Sequence, residues 1–212
     1  MSDTPLPSSR ELLQWHDAAL SGSEPPTGGP LWPWIATNHR HNCALWAEED
    51  LARRQHASDA EIVANKRAID RHNQARNDAT ERVDEALLTA LGQLDQTPPS
   101  GARLNSETAG SMIDRLSIMS LKIKAMQAQV ARTDVDDAHR QACAERLARL
   151  NLQRHDLGRC LDALLSDAAA GRAHFKVYRQ FKMYNDPSLN PALVAERAQA
   201  ASVAAAAGSK PT

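Results

Sequence analysis

The sequence predicts an all-α protein: an antiparallel bundle of about five helices, of which the second to the fifth are long. Hydrophobic residues make up 42% of the 212 residues but aromatic residues only 4%. Ala, Leu, Arg, Asp and Gln dominate, and these favour helices, whereas the β-branched and aromatic runs typical of strands are scarce. Apolar residues also recur at spacings of three and four along segments longer than twenty residues.

The first helix is short, and the second and third are separated by a brief break. We predict helices over 9–20, 31–54 and 60–94. The loop SGSEPPTGGP follows the first helix, and QHASD ends the second. Ser58 or Asp59 then caps the third.

Two further helices are predicted over 109–131 and 135–170. The Pro- and Gly-containing loop DQTPPSGARLNSETAG precedes the fourth helix, TDVDD starts the fifth, and Gly171 ends it. We therefore divide the chain into an N-terminal segment (1–30), a bundle domain (31–191) and an Ala-rich tail (192–212) that we expect to be disordered.

The fourth and fifth helices have apolar seams. One holds Met112, Leu116, Met119, Ile123, Met126 and Val130. The other holds Cys143, Leu147, Leu150, Arg154, Leu157, Leu161, Leu164 and Ala168, with a single arginine in the row. Such spacing in long, closely connected helices is typical of an antiparallel bundle.

The second and third helices instead carry polar residues where core residues belong. At 100° per residue, polar side chains fall within about 60° of Ile35 and of the line through Ile62 and Ile69. On the second helix these are Asn38, His39, Asn42, Trp46, Glu49, Asp50 and Arg53; on the third they are Lys66, Asn73, Arg76, Asn77, Thr80 and Asp84. The acids Asp70 and Glu81 of the third helix would share the same space if the two helices pair.

If the two helices pair, these polar stripes meet in a polar centre. Burying such groups without partners costs roughly 1–3 kcal/mol for each neutral group and more for a charge. Three interpretations stay open: a wet cavity that binds a ligand, a satisfied internal network, or a solvated face with pairs such as Lys66–Asp70. We also expect Arg154 to reach this centre, with Arg115 and Lys122 at its border.

Glu81 and Asp84 allow one alternative with a metal. Together with Glu49 and Asp50 from the facing helix, they would offer four carboxylates to Mg²⁺. That pattern is similar to all-α nucleoside triphosphate pyrophosphohydrolases, although the first E-x-x-E of their motifs is absent. No other cofactor is predicted, and no catalytic residue is assigned.

A basic segment with tyrosines, RAHFKVYRQFKMYNDP, follows the fifth helix. It either binds phosphate or a sugar through residues such as Lys182 and Tyr184, or forms a lid over the bundle.

Composition excludes several classes of partner. A net charge of −1 gives no electrostatic footprint for nucleic acid. No apolar run is long enough for a membrane span, and no secretory signal is visible. Three scattered cysteines suit a reducing compartment, so we expect a cytoplasmic protein.

Four blocks carry a resemblance to a known family. They are LWPWIATNHRHNCALWAEEDLARR, KRAIDRHNQARNDATERVDEAL, LNSETAGSMIDRLSIMSLKIKAM and FKMYNDPSLNP. In this order they resemble a bacterial family known only as domain of unknown function 4254, over about residues 31–191. Ala109 departs from the family's SETPG pattern.

The resemblance implies a cytoplasmic helical protein encoded near glycosyltransferase and lipopolysaccharide genes, and it supplies no catalytic residues. Taken with the stripes, it leads us to expect binding of a small anionic or sugar-phosphate ligand in support of surface glycan synthesis. The alternative is a non-enzymatic helical partner of a glycosyltransferase.

Overall fold

A computed structural model describes residues 6–208 of the chain, with the side chains of all of these except 185 and 203–208. These described residues are 67% helical and almost free of strands, which confirms the predicted all-α class. Six α-helices occur in the described residues: α1 Ser9–Ala19, α2 Trp32–Leu51, α3 Asp59–Ala90, α4 Ala109–Val130, α5 Asp137–Ala169 and α6 Pro191–Gly208.

Polar caps begin four of these helices. Ser8 and Ser58 each form a capping box with the glutamate three residues later. Thr108 and Asp136 cap α4 and α5 through their side-chain oxygens. The expected capping of the third helix by Ser58 or Asp59 is thus resolved in favour of Ser58.

The bundle is built from two antiparallel helical hairpins, α2–α3 and α4–α5. Contacts between α2 and α3 pair early residues of one with late residues of the other, as Asn38 with Thr80 and Glu48 with Asn65 show. Helix α4 packs against both helices of the first hairpin, and α1 packs against α4 and α5. Although the sequence analysis treated residues 1–30 as a separate segment, Leu12 and Trp15 of α1 belong to the core.

The apolar core occupies one end of the bundle. Its fully buried members include Ile35 near the start of α2, Leu87 near the end of α3, Leu116 in α4 and Leu161 near the end of α5. The other end, where each hairpin turns, contains few buried apolar residues. Buried polar groups, among them Asn38 and Asn42, lie beside the core and between the two hairpins.

Two strands of two residues each connect distant loops. β1 (Arg103–Leu104) pairs in parallel with β2 (Ala173–His174), and the Arg103 N–H donates to the Arg172 carbonyl at 2.8 Å. This pairing fixes the loop that leads into α4.

The chain divides into two compact units, one up to Tyr178 and one from Arg179 onward. The second unit contains a 3₁₀ turn at Met183–Asn185 and helix α6. Helix α6 covers most of the Ala-rich tail, in keeping with the high helix propensity of alanine. Residues 209–212 of that tail lie outside the described residues.

Candidate functional site

The polar stripes of α2 and α3 face each other and the side of α4. Asn38 and Asn42 on α2 and Asn77 and Asp84 on α3 are all buried. Part of the predicted polar centre is therefore enclosed within the bundle, and part borders an open cleft.

The enclosed part is a hydrogen-bonded network around Asp114 of α4. The Asn38 side-chain amide donates to Asp114 Oδ1 at 2.8 Å and to Thr80 Oγ1 at 3.1 Å. The Asn42 amide donates to the same Asp114 oxygen at 2.9 Å and to Ser117 Oγ at 3.0 Å. These contacts satisfy groups that would otherwise be costly to bury, and they fix the register of α2 against α4.

Two histidines extend this network toward α1. His39 Nδ1 lies 2.8 Å from Ser117 Oγ, and the His39 ring stacks on His16 with centroids 4.9 Å apart. Burial lowers the pKa of His39 to about 4. The pKa of His16 also falls well below its ordinary value, first through burial and then through the charges of His39 and Arg154. Both rings are therefore neutral near pH 7.

Asp84 caps the start of α4. Its Oδ1 accepts the backbone N–H of Gly110 at 2.6 Å, and Thr108 also hydrogen-bonds to its side chain. Burial raises the pKa of this carboxyl to about 6, although both hydrogen bonds act in the opposite direction. Asp84 thus has a structural partner and does not point into open space.

The open part is a cleft of about 370 Å³ between α2, α3 and α4, which we call the hairpin cleft. Seven of its lining residues were predicted from the stripes: Asn42, Trp46, Glu49, Asp50, Arg53, Asn73 and Arg76. The remainder of the wall is apolar and is formed by Leu45, Ile118 and Leu121. The cleft therefore combines a flat aromatic ring, charged groups and amides in one concave surface.

Arg76 is the most distinctive group of the hairpin cleft. Its Nε is buried without a hydrogen-bond partner and lies 3.9 Å from Asp114 Oδ1. Its Nη2 donates to Asn77 Oδ1 at 3.3 Å. The contact with Asp114 is a long ion pair, whereas Arg53 forms a closer one with Glu49, at 2.6 Å, on the exposed surface of α2. Among the described residues, the Nε donor of Arg76 therefore has an ion-pair partner but no hydrogen bond.

Several predicted residues lie elsewhere. Lys66 and Asp70 form an exposed ion pair on α3, as the solvated-face interpretation anticipates. Arg154 donates to Asp17 of α1 at 2.6 Å, so its guanidinium is bound outside the α2–α3 stripes. Lys182 and Tyr184 belong to the second unit. Glu81 is half-buried on α3 and does not line the hairpin cleft.

The four-carboxylate magnesium site is not assembled. Within residues 6–208, no group of three or more His, Cys, Asp or Glu side chains is placed to hold a metal ion. The reason is that Asp84 is engaged at the start of α4, whereas Glu49 is paired with Arg53 and lines the hairpin cleft. Glu49, Asp50, Glu81 and Asp84 therefore do not form such a group in the described part of the chain.

Sequence reasoning missed Asp114, Ser117, Ser120 and His16. The first three recur at a spacing of three along α4, in the segment SMIDRLSIMS, and form a polar row beside the apolar seam. That row was the available signal, although the same pattern also describes a solvent-facing side. His16 follows Trp15 in a short helix, and nothing in its local sequence indicates complete burial.

The fold and the site define a class: an all-α bundle of two helical hairpins with a polar centre and a cleft between them. A family model described as "Protein of unknown function (DUF4254)" matches residues 32–177. The chain belongs to this family, which confirms the resemblance. No curated protein and no solved structure matches the chain. In the described part of the chain, no helix is long and apolar enough to cross a membrane.

Proposed function

We propose that the protein binds a small anionic ligand of the sugar-phosphate or nucleotide type in the hairpin cleft. We further propose that it does so in the cytoplasm, in support of lipopolysaccharide or surface glycan synthesis. The chemistry of the cleft supports the first statement, and the second rests on the resemblance alone.

The observation that carries the proposal is the guanidinium of Arg76, which belongs to the lining of the hairpin cleft and whose Nε has no hydrogen bond among the described residues. An arginine presents five N–H groups in a planar fork that matches phosphate and carboxylate oxygens. Because a buried donor without a partner is unfavourable, a ligand oxygen that accepts from this guanidinium gains a contact that the free protein lacks.

The other walls of the hairpin cleft suit the remainder of such a ligand. Trp46 offers a flat apolar surface for a sugar face or a base. Asn73 offers an amide that both donates to and accepts from hydroxyl groups. Asp50 and Glu49 lie toward the outer end of α2, where they suit hydroxyls or a cation that accompanies a phosphate.

A thermal shift experiment with sugar phosphates and sugar nucleotides, with and without Mg²⁺, tests the proposal. A ligand at a hundred times its Kd stabilises the folded state by about 2.7 kcal/mol, which raises the Tm by about 5–10 °C for a chain of this size. We expect Arg76→Gln to remove most of that shift, and Arg67→Gln, an exposed arginine on α3, to leave it unchanged. The proposal fails if no compound raises the Tm, or if both variants respond alike.

The competing function is that of a non-enzymatic partner of a glycosyltransferase. In that case the polar centre is purely structural, as its satisfied Asn38–Asn42–Asp114 contacts allow. Co-purification of a glycosyltransferase in the absence of any ligand-induced shift would favour this function.

A further inference from the structure

A second concave surface lies between α4 and α5 and adjoins the hairpin cleft at Trp46 and Ile118. Two adjoining depressions of about 620 and 500 Å³ share Lys122, Leu150 and Gln153 and form one continuous groove. We call it the methionine groove. Along α4 it extends from Met112 to Gln129, which at 1.5 Å per residue is about 25 Å.

Methionines line this groove at regular intervals. Met112, Met119 and Met126 are seven residues apart, so they lie along one side of α4. Met112 is buried and forms the floor of one end of the groove, whereas Met119 and Met126 are half-buried. Leu150 and Leu157 of α5 line the opposite side. Unbranched, polarisable methionine side chains adapt to an incoming apolar surface, and grooves rich in methionine are used to bind amphipathic helices.

Cations border the end of the groove nearest Trp46. Lys122, Arg146 and Arg149 are exposed there, and among the described residues none of them has an ion pair or a hydrogen bond. The carboxylates that line the groove, Glu107 and Asp156, lie in the other depression. The groove thus has a positive end whose charges are not neutralised by neighbouring side chains.

We propose that the methionine groove binds an amphipathic helix of a partner protein, with acidic residues facing Lys122, Arg146 and Arg149. A helix of about 17 residues spans the 25 Å groove. Its apolar stripe covers the methionines as a third helix packed against the α4–α5 pair. This inference is independent of the ligand proposed for the hairpin cleft.

Charge also bears on whether a second copy of the chain occupies the groove. Two copies packed with their grooves parallel would bring their Lys122, Arg146 and Arg149 clusters into apposition, and like charges in an interface oppose association. Two copies packed antiparallel would set these cations against the end that holds Glu107 and Asp156, where Glu107 is already paired with Arg115. An acidic helix instead gains from the same charges and buries the same apolar surface.

The test uses the full chain labelled with ¹³C at the methionine methyl groups. Three of the five methionines lie in the groove, whereas Met183 belongs to the second unit and serves as an internal reference. The probes are two 18-residue helical peptides with leucines at positions i, i+3, i+4 and i+7. One carries glutamate at the remaining positions and the other carries lysine.

We expect the glutamate peptide to shift the Met119 and Met126 signals and leave that of Met183 in place. It should bind at least about tenfold more tightly than the lysine peptide, since electrostatic complementarity sets partner choice. The double variant Lys122→Glu/Arg149→Glu should reverse the preference. The matched variant Arg67→Glu/Arg71→Glu, on exposed positions of α3, should retain it.

Three results would overturn the proposal. The first is the absence of any shift at millimolar glutamate peptide. The second is equal affinity for the two peptides, or an unchanged preference after charge reversal. The third is a dimer, detected by sedimentation of the free protein, that Met119→Glu dissociates, because the groove would then be covered by a second copy.

Discussion

At the scale of single residues, His16 is an unusual core member. Its side chain is completely buried, and neither ring nitrogen has a hydrogen-bond partner. The neighbouring groups are the stacked ring of His39, the indole of Trp15 and the charges of Arg154 and Asp17. The bundle therefore tolerates this imidazole only in its neutral form.

This burial makes stability depend on pH with a definite sign. The pKa of His16 is lowered in the folded protein, so between pH 6.5 and that lower pKa only the unfolded chain takes up the proton. The contribution of neutral His16 to the free energy of unfolding is therefore fully present above pH 6.5 and is lost as the pH falls. Asp84, whose pKa is raised to about 6, has the opposite effect, because the folded protein holds its proton more tightly.

We predict that His16→Leu gains stability relative to the wild type as the pH falls. Between pH 7.5 and pH 5 the difference in unfolding free energy should move by about 2 kcal/mol in favour of the variant. Asp84 is present in both proteins, so its effect cancels. Urea denaturation at the two pH values measures the change.

His56→Leu is the matched control, since His56 is exposed in the loop between α2 and α3. Its stability difference from the wild type should be the same at both pH values. A His16 variant that shows no greater change than this control would mean that the imidazole is hydrated in solution.

At the scale of elements, the start of α4 depends on close approach to α3. A Cβ at Gly110 would lie 2.7 Å from the Thr80 carbonyl oxygen and 2.8 Å from Asp84 Oδ1. The absence of a side chain lets the Gly110 N–H reach the Asp84 carboxylate, which satisfies one of the four free amides at the helix start. A negative charge at this position is also favourable to the helix dipole.

We predict that Gly110→Ala lowers the unfolding free energy by about 2–3 kcal/mol, because backbone atoms cannot move aside cheaply. Gly158→Ala on α5 is the comparison. Its Cβ would meet side-chain atoms alone, Ser9 at 3.1 Å and Leu13 at 3.8 Å, and the gain in helix propensity offsets these contacts. The unfolding free energy of Gly158→Ala should fall by less than about 1 kcal/mol. Equal losses in the two variants would show that the close approach of α3 to Gly110 is not what makes the glycine necessary.

Most of the helices could be predicted from the sequence. The five predicted bundle helices occur with their ends displaced by a few residues, because capping side chains and apolar spacing are local signals. The polar stripes of α2 and α3 were readable for the same reason. The role of Asp114 could not be predicted from the sequence, because it depends on which face of α4 packs against Asn38 and Asn42.

At the scale of the whole molecule, the apolar core lies toward one end of the bundle, and buried polar residues such as His16, Asn38 and Asp84 adjoin it. All members of the main apolar cluster lie between Leu6 and Val177. The family model ends at residue 177, close to the boundary between the two compact units at Tyr178. The first unit thus contains the whole main apolar cluster, so we expect it to fold without the second unit.

We predict that a chain ending at Tyr178 folds and unfolds cooperatively. Circular dichroism should show a helical protein with a single thermal transition, because the apolar cluster is retained intact. A chain ending at Gln153 lacks Leu157, Leu161 and Leu164 and should lose that transition. A non-cooperative melt of the longer chain would show that residues 179–212 are needed for folding.

The sequence does not predict which polar residues are enclosed in the network around Asp114 and which line the hairpin cleft. The stripes identify the polar residues of α2 and α3 but not the point at which the apolar core ends and the hairpin cleft begins. Asn38 and Arg76 looked equivalent in the sequence, yet Asn38 is enclosed by Asp114 and Thr80 whereas Arg76 borders open space. That difference arises from the placement of α4, which only the packed structure defines.

The parallel pairing of β1 with β2 has a consequence for folding kinetics. It joins the segment before α4 to the segment after α5, so it closes a chain loop that contains the entire second hairpin. Closing a long flexible loop is entropically costly, whereas prior zipping of α4 onto α5 brings the two ends together. The short ladder should therefore form late, after helix–helix collapse, and its amides should acquire protection from hydrogen exchange last.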